Sequence, residues 1–127
     1  MPNEKVIKIK PAFEDGRGAI SNILDEPISH IAIITTKKGS VRANHYHPGQ
    51  IQYEYLVSGK YESVSLDLNK KGSEIERQII VPGDLVITPP MIAHAMVFIE
   101  DSIMLNITTG SRNPDKFSEH TIPYKLV

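Results

Sequence analysis

The chain of 127 residues contains no cysteine, which excludes disulfide bonds, thiolate metal sites and a cysteine nucleophile. It also lacks an excess of positive charge, because 14 Lys and Arg residues face 15 Asp and Glu residues and leave a net charge of −1. Nucleic acid is therefore not expected as a partner. The longest apolar run near the start is residues 31–34, so no membrane partner is expected either. The first residues lack the apolar segment of a secretory signal, and we expect a cytoplasmic protein.

The abundant residues favour β-strands, because 18 isoleucines and 8 valines outnumber 7 leucines and 6 alanines. β-Branched side chains fit a pleated sheet better than a helix. Apolar runs alternate with turn-forming pairs such as Pro48-Gly49 and Pro82-Gly83, a spacing typical of a sandwich or barrel. The length fits one domain, residues 1–127. Strands are predicted at residues 5–10, 19–24, 29–36, 41–46, 50–58, 60–68, 74–81, 85–88, 95–99 and 102–109, and the tail is expected to return to the sheet.

Two of the predicted strands differ in their alternation. Strand 60–68 is predicted to be half-buried, with one face formed by Glu62, Val64, Leu66 and Leu68 and the other by Tyr61, Ser63, Ser65 and Asp67. Strand 50–58 has an apolar odd-numbered face with Tyr53 and Tyr55, which is predicted to pack, and a second subunit is one candidate to cover it. Its even-numbered face carries Gln50, Gln52 and Glu54, so this face either meets solvent or lines a cavity.

The tripeptide His45-Tyr46-His47 is the most informative motif for chemistry. In a strand, residues i and i+2 point the same way, so both imidazoles can reach one metal ion. Taken alone, such a pair is more often a surface or packing feature. The context favours a functional site, because Gln52 and Glu54 follow on the next predicted strand and His94 follows a second turn.

These histidines lie in two motifs that resemble those of the cupin superfamily. Gly39, His45, His47, Gln52 and Gly59 follow the spacing of the first cupin motif, at about residues 39–59. The second motif, at residues 83–98, is matched by Gly83, Pro89, Met91, His94 and Phe98. The resemblance implies an all-β fold, a double-stranded β-helix (cupin) barrel of the jelly-roll type. It also implies one divalent transition metal ion (Zn, Fe, Ni or Mn) held by His45, His47, Gln52 and His94.

Three residues depart from the cupin motifs. Gln52 stands where most cupins have glutamate, Met91 replaces a glycine, and Phe98 replaces an asparagine. A carboxamide oxygen can still coordinate, but without the carboxylate an ion is a stronger Lewis acid and is held more weakly. Glu54 is an alternative ligand on the same face. The alternative that the protein keeps the barrel fold but has lost the metal is not excluded by the sequence.

A stretch before the barrel, residues 13–18, is similar to the start of cupins that are 3,5-epimerases and 3,4-ketoisomerases of nucleotide sugars, and residues 117–122 are similar to their last strand. An Asp-Gly turn explains Asp15-Gly16 equally well. A small-molecule substrate is expected, with Arg17 and Arg42 as candidates to bind a diphosphate, since a guanidinium meets phosphate oxygens in a bidentate way. Met91 and Met96 flank His94 and are predicted to give the substrate an adaptable apolar wall.

The resulting hypothesis is a metal-binding isomerase or epimerase that acts on a carbonyl-bearing sugar or nucleotide sugar. Glu54 and His47 are the predicted catalytic residues, with Glu54 moving the proton and His45 or His47 as the base if no metal binds. Two alternatives stay open, an Fe(II)-dependent dioxygenase and a non-catalytic sugar-binding module. A homodimer is also predicted, through the apolar face of strand 50–58.

Overall fold

The computed structural model describes residues 2–109 and 120–127. Within these residues the chain is built from strands in the order β1 (Lys5–Lys8), β2 (Phe13–Asp15), β3 (Gly18–Ile20), β4 (His30–Thr36), β5 (Val41–Tyr46), β6 (Gln52–Ser58), β7 (Tyr61–Asp67), β8 (Glu76–Ile80), β9 (Asp84–Thr88), β10 (Ile92–Phe98), β11 (Ser102–Thr108) and β12 (Ile122–Pro123). No helix in these ranges is long and apolar enough to cross a membrane.

Ten of the strands form two five-stranded antiparallel sheets. The first sheet has the order β1-β9-β6-β11-β4, and the second has the order β12-β5-β10-β7-β8. Apolar side chains from both sheets meet in one buried cluster, formed by Leu56, Tyr61, Ile80, Val86, Met96, Phe98 and Met104. This all-β, two-sheet arrangement confirms the predicted jelly-roll barrel.

The segment before β4 differs from the prediction of one strand at residues 19–24. The chain instead forms the β2–β3 hairpin, with Phe13 opposite Ile20. Its turn is closed by Asp15, whose carboxylate accepts a hydrogen bond of 2.9 Å from the backbone N–H of Arg17. Ile23 and Leu24 lie beyond the hairpin and pack on the outer face of the first sheet. These two apolar residues therefore cover a sheet and do not extend a strand.

Strand β7 is half-buried, as predicted. Tyr61, Ser63 and Ser65 are buried on one face, while on the other face Val64 is buried and Glu62 and Leu66 are partly exposed. The buried face meets polar groups of the segment before β1. Ser63 donates its hydroxyl to the carboxylate of Glu4, and the carbonyl oxygen of Ser65 accepts a hydrogen bond of 3.1 Å from the side chain of Asn3.

Candidate functional site

Strand β5 carries a β-bulge immediately before the first site histidine. On β10, His94 faces His45, whereas the next residue, Ala95, faces Ala43, so Asn44 is the extra residue. Ala43 and Asn44 both adopt left-handed backbone angles, with φ of 67° and 54°. Because a bulge bends the strand and re-aims the side chains around it, it allows His45 to line an interior cavity beside His94.

The three histidines singled out from the sequence come together around one point. The ring centroids of His45 and His47 lie 4.6 Å apart, those of His45 and His94 lie 4.8 Å apart, and those of His47 and His94 lie 6.1 Å apart. Ring nitrogens from all three lie within 4.8 Å of one another. His47 and His94 are buried, and His45 is half-buried.

The ring of His47 is oriented by the segment before β12. The Nδ1 of His47 lies 2.8 Å from the backbone carbonyl oxygen of His120 and 3.3 Å from the hydroxyl of Thr121. A carbonyl oxygen can only accept, so Nδ1 carries the proton and Nε2 carries the lone pair. Sequence reasoning missed this contact, because its two residues are 73 positions apart.

A chain of buried amides and a carboxylate lies on β6 and β11. The side-chain nitrogen of Asn106 donates to Glu54 over 2.9 Å and to Gln52 over 3.1 Å. Gln52 in turn donates to the side-chain oxygen of Gln50 over 2.9 Å. The polar face of strand 50–58 therefore lines a cavity and does not meet solvent. Asn106 was missed in the sequence, where its one signal is a polar residue within an apolar strand.

Glu4 is a second residue that the sequence analysis missed. It lies just before β1, is 1% exposed, and accepts hydrogen bonds from the hydroxyls of Ser63 and Thr88. Its Oε2 lies 3.7 Å from Nδ1 of His94. Burial raises the pKa of Glu4, while the two hydroxyl hydrogen bonds act in the opposite direction. Burial also lowers the pKa of His94 well below its ordinary range, and His45 and His47 add to this effect.

The site opens into a cavity of about 250 Å³ inside the barrel. Its polar lining comes from His45, Gln52, Glu54, His94 and Asn106, and Met96 and Met104 belong to its apolar wall. Arg42 lies at the exposed edge of the same cavity. Its guanidinium is held by the hydroxyl of Thr36 over 2.7 Å and by the carbonyl oxygen of Thr35 over 3.0 Å.

Three other predicted residues do not line this cavity. His47 is packed beside His45 and does not itself line the cavity. Met91 lies at the turn before β10 with a left-handed φ of 66°, which explains why the motif has glycine there, and its N–H donates to the carbonyl oxygen of His47 over 2.9 Å. Arg17 is 87% exposed on the β2–β3 hairpin and forms an ion pair of 2.6 Å with Asp15. Of the similar C-terminal stretch, residues 117–119 lie outside the described residues.

The donor set fits a divalent transition metal ion. Neutral imidazoles suit Zn, Fe and Ni, and the three clustered histidines supply such nitrogens. Nε2 of His94 is buried and has no hydrogen-bond partner among the described residues, which is expected of a nitrogen that binds a metal ion. Gln52 and Glu54 offer oxygens in the same cavity.

Comparisons with known structures identify the same fold. A 3,4-ketoisomerase from Helicobacter canadensis matches with a TM-score of 0.77 at 20% identity, over 94% of this chain and 90% of that one. The dTDP-4-dehydrorhamnose 3,5-epimerase from Sulfolobus tokodaii matches with a TM-score of 0.74 at 19% identity, over 94% and 75%. A mutant 3,4-ketoisomerase from Thermoanaerobacterium thermosaccharolyticum, in complex with TDP-4-keto-6-deoxyglucose, matches with a TM-score of 0.75 at 18% identity, over 96% and 88%. At these identities, the likeness shows a shared fold.

Sequence comparison gives the family. No curated protein sequence matches the chain. The model of the cupin domain family matches residues 32–108, which is more than half of the chain and includes both histidine motifs. The chain therefore belongs to the cupin domain family.

Proposed function

We propose that this cupin is an isomerase or epimerase that acts on a carbonyl-bearing sugar of a nucleotide sugar. The observation that carries the proposal is the convergence of His45, His94 and Glu54 on one cavity of about 250 Å³. This volume is below the roughly 300–1,000 Å³ of pockets for drug-sized ligands, and it suits a single sugar ring. The fold shared with nucleotide-sugar epimerases and ketoisomerases supports the same substrate class.

In this proposal the nucleotide stays outside the cavity and its diphosphate meets Arg42. The guanidinium lies at the exposed edge of the cavity and is already held by β4. A held guanidinium loses little conformational entropy when it binds phosphate oxygens in a bidentate way. Arg17 lies away from the cavity, and its predicted contact with phosphate remains a prediction.

Glu54 is the proposed acid–base residue. Its carboxylate lines the cavity, and Asn106 fixes it through a hydrogen bond of 2.9 Å. It takes the proton from the carbon beside the substrate carbonyl, so the C–H electron pair moves into an enolate. The enolate then regains a proton. A proton taken from water on the opposite face gives an epimer. A proton returned by Glu54 to the former carbonyl carbon gives a ketoisomer, when the proton of the neighbouring hydroxyl moves to the former carbonyl oxygen and leaves a new carbonyl behind.

The proposed metal ion would be held by His45, His47 and His94, with Gln52 as an oxygen donor. When bound, such an ion polarises a carbonyl oxygen and makes the adjacent C–H more acidic. The chain itself orients the histidine ligands, because the backbone of His120 fixes the ring of His47 and the β-bulge at Asn44 precedes His45.

The test of the function uses TDP-4-keto-6-deoxyglucose in D₂O, followed by proton NMR with and without added Zn²⁺, Mn²⁺, Fe²⁺ or Ni²⁺. We expect loss of the signal of the proton beside the carbonyl and the appearance of an isomeric sugar. Three results would overturn the proposal: no exchange under any condition, oxygen consumption that indicates a dioxygenase, or tight binding without turnover that indicates a binding module.

Metal binding is tested separately with Zn²⁺ in equilibrium dialysis followed by elemental analysis. The wild-type protein is expected to bind one equivalent, and His45→Ala is expected to bind about 100-fold more weakly, since even the loss of an outer-shell partner costs 10–100-fold. His30→Ala is the matched control, because His30 lies outside the cluster. Equal affinity in all three proteins would show that the cluster is not a metal site.

We also propose a homodimer that uses the outer face of the first sheet. Part of the predicted face is already covered, because Tyr53 is buried under a cluster that includes Ile23 and Leu24. The uncovered part contains Val57 and, on neighbouring strands, Ile31, Ile33 and Ile103, all of them exposed. These side chains are uncharged and apolar, which favours a second copy of the same patch as the partner.

Replacing one residue of this patch by a charge is expected to separate the dimer. Ile33 is 71% exposed, so Ile33→Glu leaves the barrel intact and places a carboxylate in the interface. Light scattering at several concentrations should give a dimer for the wild-type protein and a monomer for the variant. Ile79→Glu, on the other sheet, is the control and should remain dimeric. A wild-type protein that is monomeric at every concentration would contradict the proposal.

A further inference from the structure

Glu4 lies inside the barrel although the chemistry proposed above does not use it. It enters from the segment before β1, and its carboxylate lies between the two sheets. Ser63 on β7 donates a hydroxyl to one carboxylate oxygen, and Thr88 on β9 donates a hydroxyl to the other. Both oxygens therefore act as acceptors toward these two hydroxyls.

The titratable side chain that lies beside the carboxyl group of Glu4 is the imidazole of His94. Among the hydrogen bonds and ion pairs of the described residues, Glu4 contacts no lysine or arginine side chain, and its Oε2 lies 3.7 Å from Nδ1 of His94. Both of its oxygens already act as acceptors toward Ser63 and Thr88. A ring N–H pointing at such an acceptor oxygen is attractive, whereas a lone pair pointing at it is repulsive. This oxygen therefore favours the proton on Nδ1.

The second ring nitrogen of His94, Nε2, has different surroundings from Nδ1. Nε2 is buried and has no hydrogen-bond partner in the described part of the chain, and His94 lines the cavity beside His45. With the proton on Nδ1, this nitrogen carries a lone pair. A lone pair here can bind a cation or accept a proton from a substrate, whereas an N–H could only donate.

We infer that Glu4 is a positioning residue, which sets His94 in the Nδ1–H tautomer and so keeps a lone pair of Nε2 at the cavity. Histidine ligands and bases elsewhere are oriented by a carboxylate or carbonyl on the second ring nitrogen. Here the carbonyl of His120 does this for His47, and Glu4 does it for His94. Its effect on turnover rests on the proposed function, but its effect on the tautomer does not.

The test reads the tautomer directly, by two-dimensional ¹H–¹⁵N NMR of the metal-free protein labelled at histidine nitrogens. His94→Gln identifies the signals of His94. In the wild-type protein we expect protonated Nδ1 and unprotonated Nε2. In Glu4→Gln, which keeps the shape and replaces one acceptor oxygen by a donor NH₂ group, we expect the two tautomers of His94 to become mixed. Zn²⁺ affinity in equilibrium dialysis is expected to fall about 10- to 100-fold.

The matched control is Glu76→Gln. Glu76 accepts a hydrogen bond of 2.7 Å from the backbone N–H of Asn3, so it holds the same segment without facing His94. This variant should keep the wild-type tautomer. The inference is wrong if wild-type His94 carries its proton on Nε2, or if Glu4→Gln leaves the tautomer unchanged. If the tautomer shifts as expected and no sugar turnover is found, the proposed function fails and the role of Glu4 stands.

Discussion

Glu54→Gln is expected to lower the rate of proton exchange on TDP-4-keto-6-deoxyglucose by about 10²- to 10⁴-fold, the usual contribution of a positioned acid–base group. Glutamine keeps the length of the side chain and an oxygen that accepts from Asn106, so the buried hydrogen bond of 2.9 Å can persist. It cannot take up a proton. The loss should therefore fall on kcat, with little change in KM.

The control for this experiment is Glu62→Gln. Glu62 is on β7 and is paired over 2.9 Å with Arg77, in an exposed contact. Exposed ion pairs contribute little to stability, so this variant should keep its activity and its fold. If Glu54→Gln keeps more than about a tenth of the wild-type rate, Glu54 is not the residue that moves the proton, and His45 becomes the candidate base.

Gly59→Ala is expected to be the most damaging single substitution for stability. Gly59 lies between β6 and β7 with φ of 98°, and a Cβ there would lie 2.1 Å from Oγ of Ser102 and 2.5 Å from the carbonyl oxygen of Asp101. Backbone strain and overpacking each cost about 1–3 kcal/mol, so we expect a loss of about 2–6 kcal/mol. For a domain of this size that lowers Tm by about 10–20 °C.

Gly72→Ala separates the two causes. Gly72 also has a positive φ, 76°, but nothing lies within 4 Å of a Cβ added there. Gly72→Ala should therefore lose only the stability that backbone strain costs, about 1–2 kcal/mol. Thermal and urea unfolding of both variants provide the measurement. Equal losses at the two positions would show that the close approach of residues 101–102 to Gly59 is not what requires glycine.

The fold could be predicted from local signals because turn pairs and β-branched runs act over a few residues. Strand β5 was predicted with its correct bounds, and the neighbouring strands with errors of one to three residues at most ends. The hairpin at residues 13–20 was missed because its strands are three residues long. The alternation of β7 could not show that its serine face is the buried one, because the polar partner of Ser63, Glu4, is 59 positions away.

The site shows the same limit. His45, His47 and His94 could be brought together because motif spacing encodes them, and Gln52 and Glu54 because alternation places them on one face. The roles of Asn106, Glu4 and the carbonyl of His120 could not be predicted, because no nearby residue in the sequence indicates a functional role for them. Their roles come from pairing between distant strands, as in the contact of Asn106 with Glu54 over 52 positions.

The bulge residue Asn44 has a consequence for how the protein is made. Its side chain accepts from the backbone N–H groups of Leu126 and Val127 over 2.9 and 3.1 Å, and β12 pairs with Tyr46 and His45. The segment that carries the first two histidines leaves the ribosome about 80 residues before the segment that steadies it. The pocket can therefore take its final form only after β12 has been synthesised.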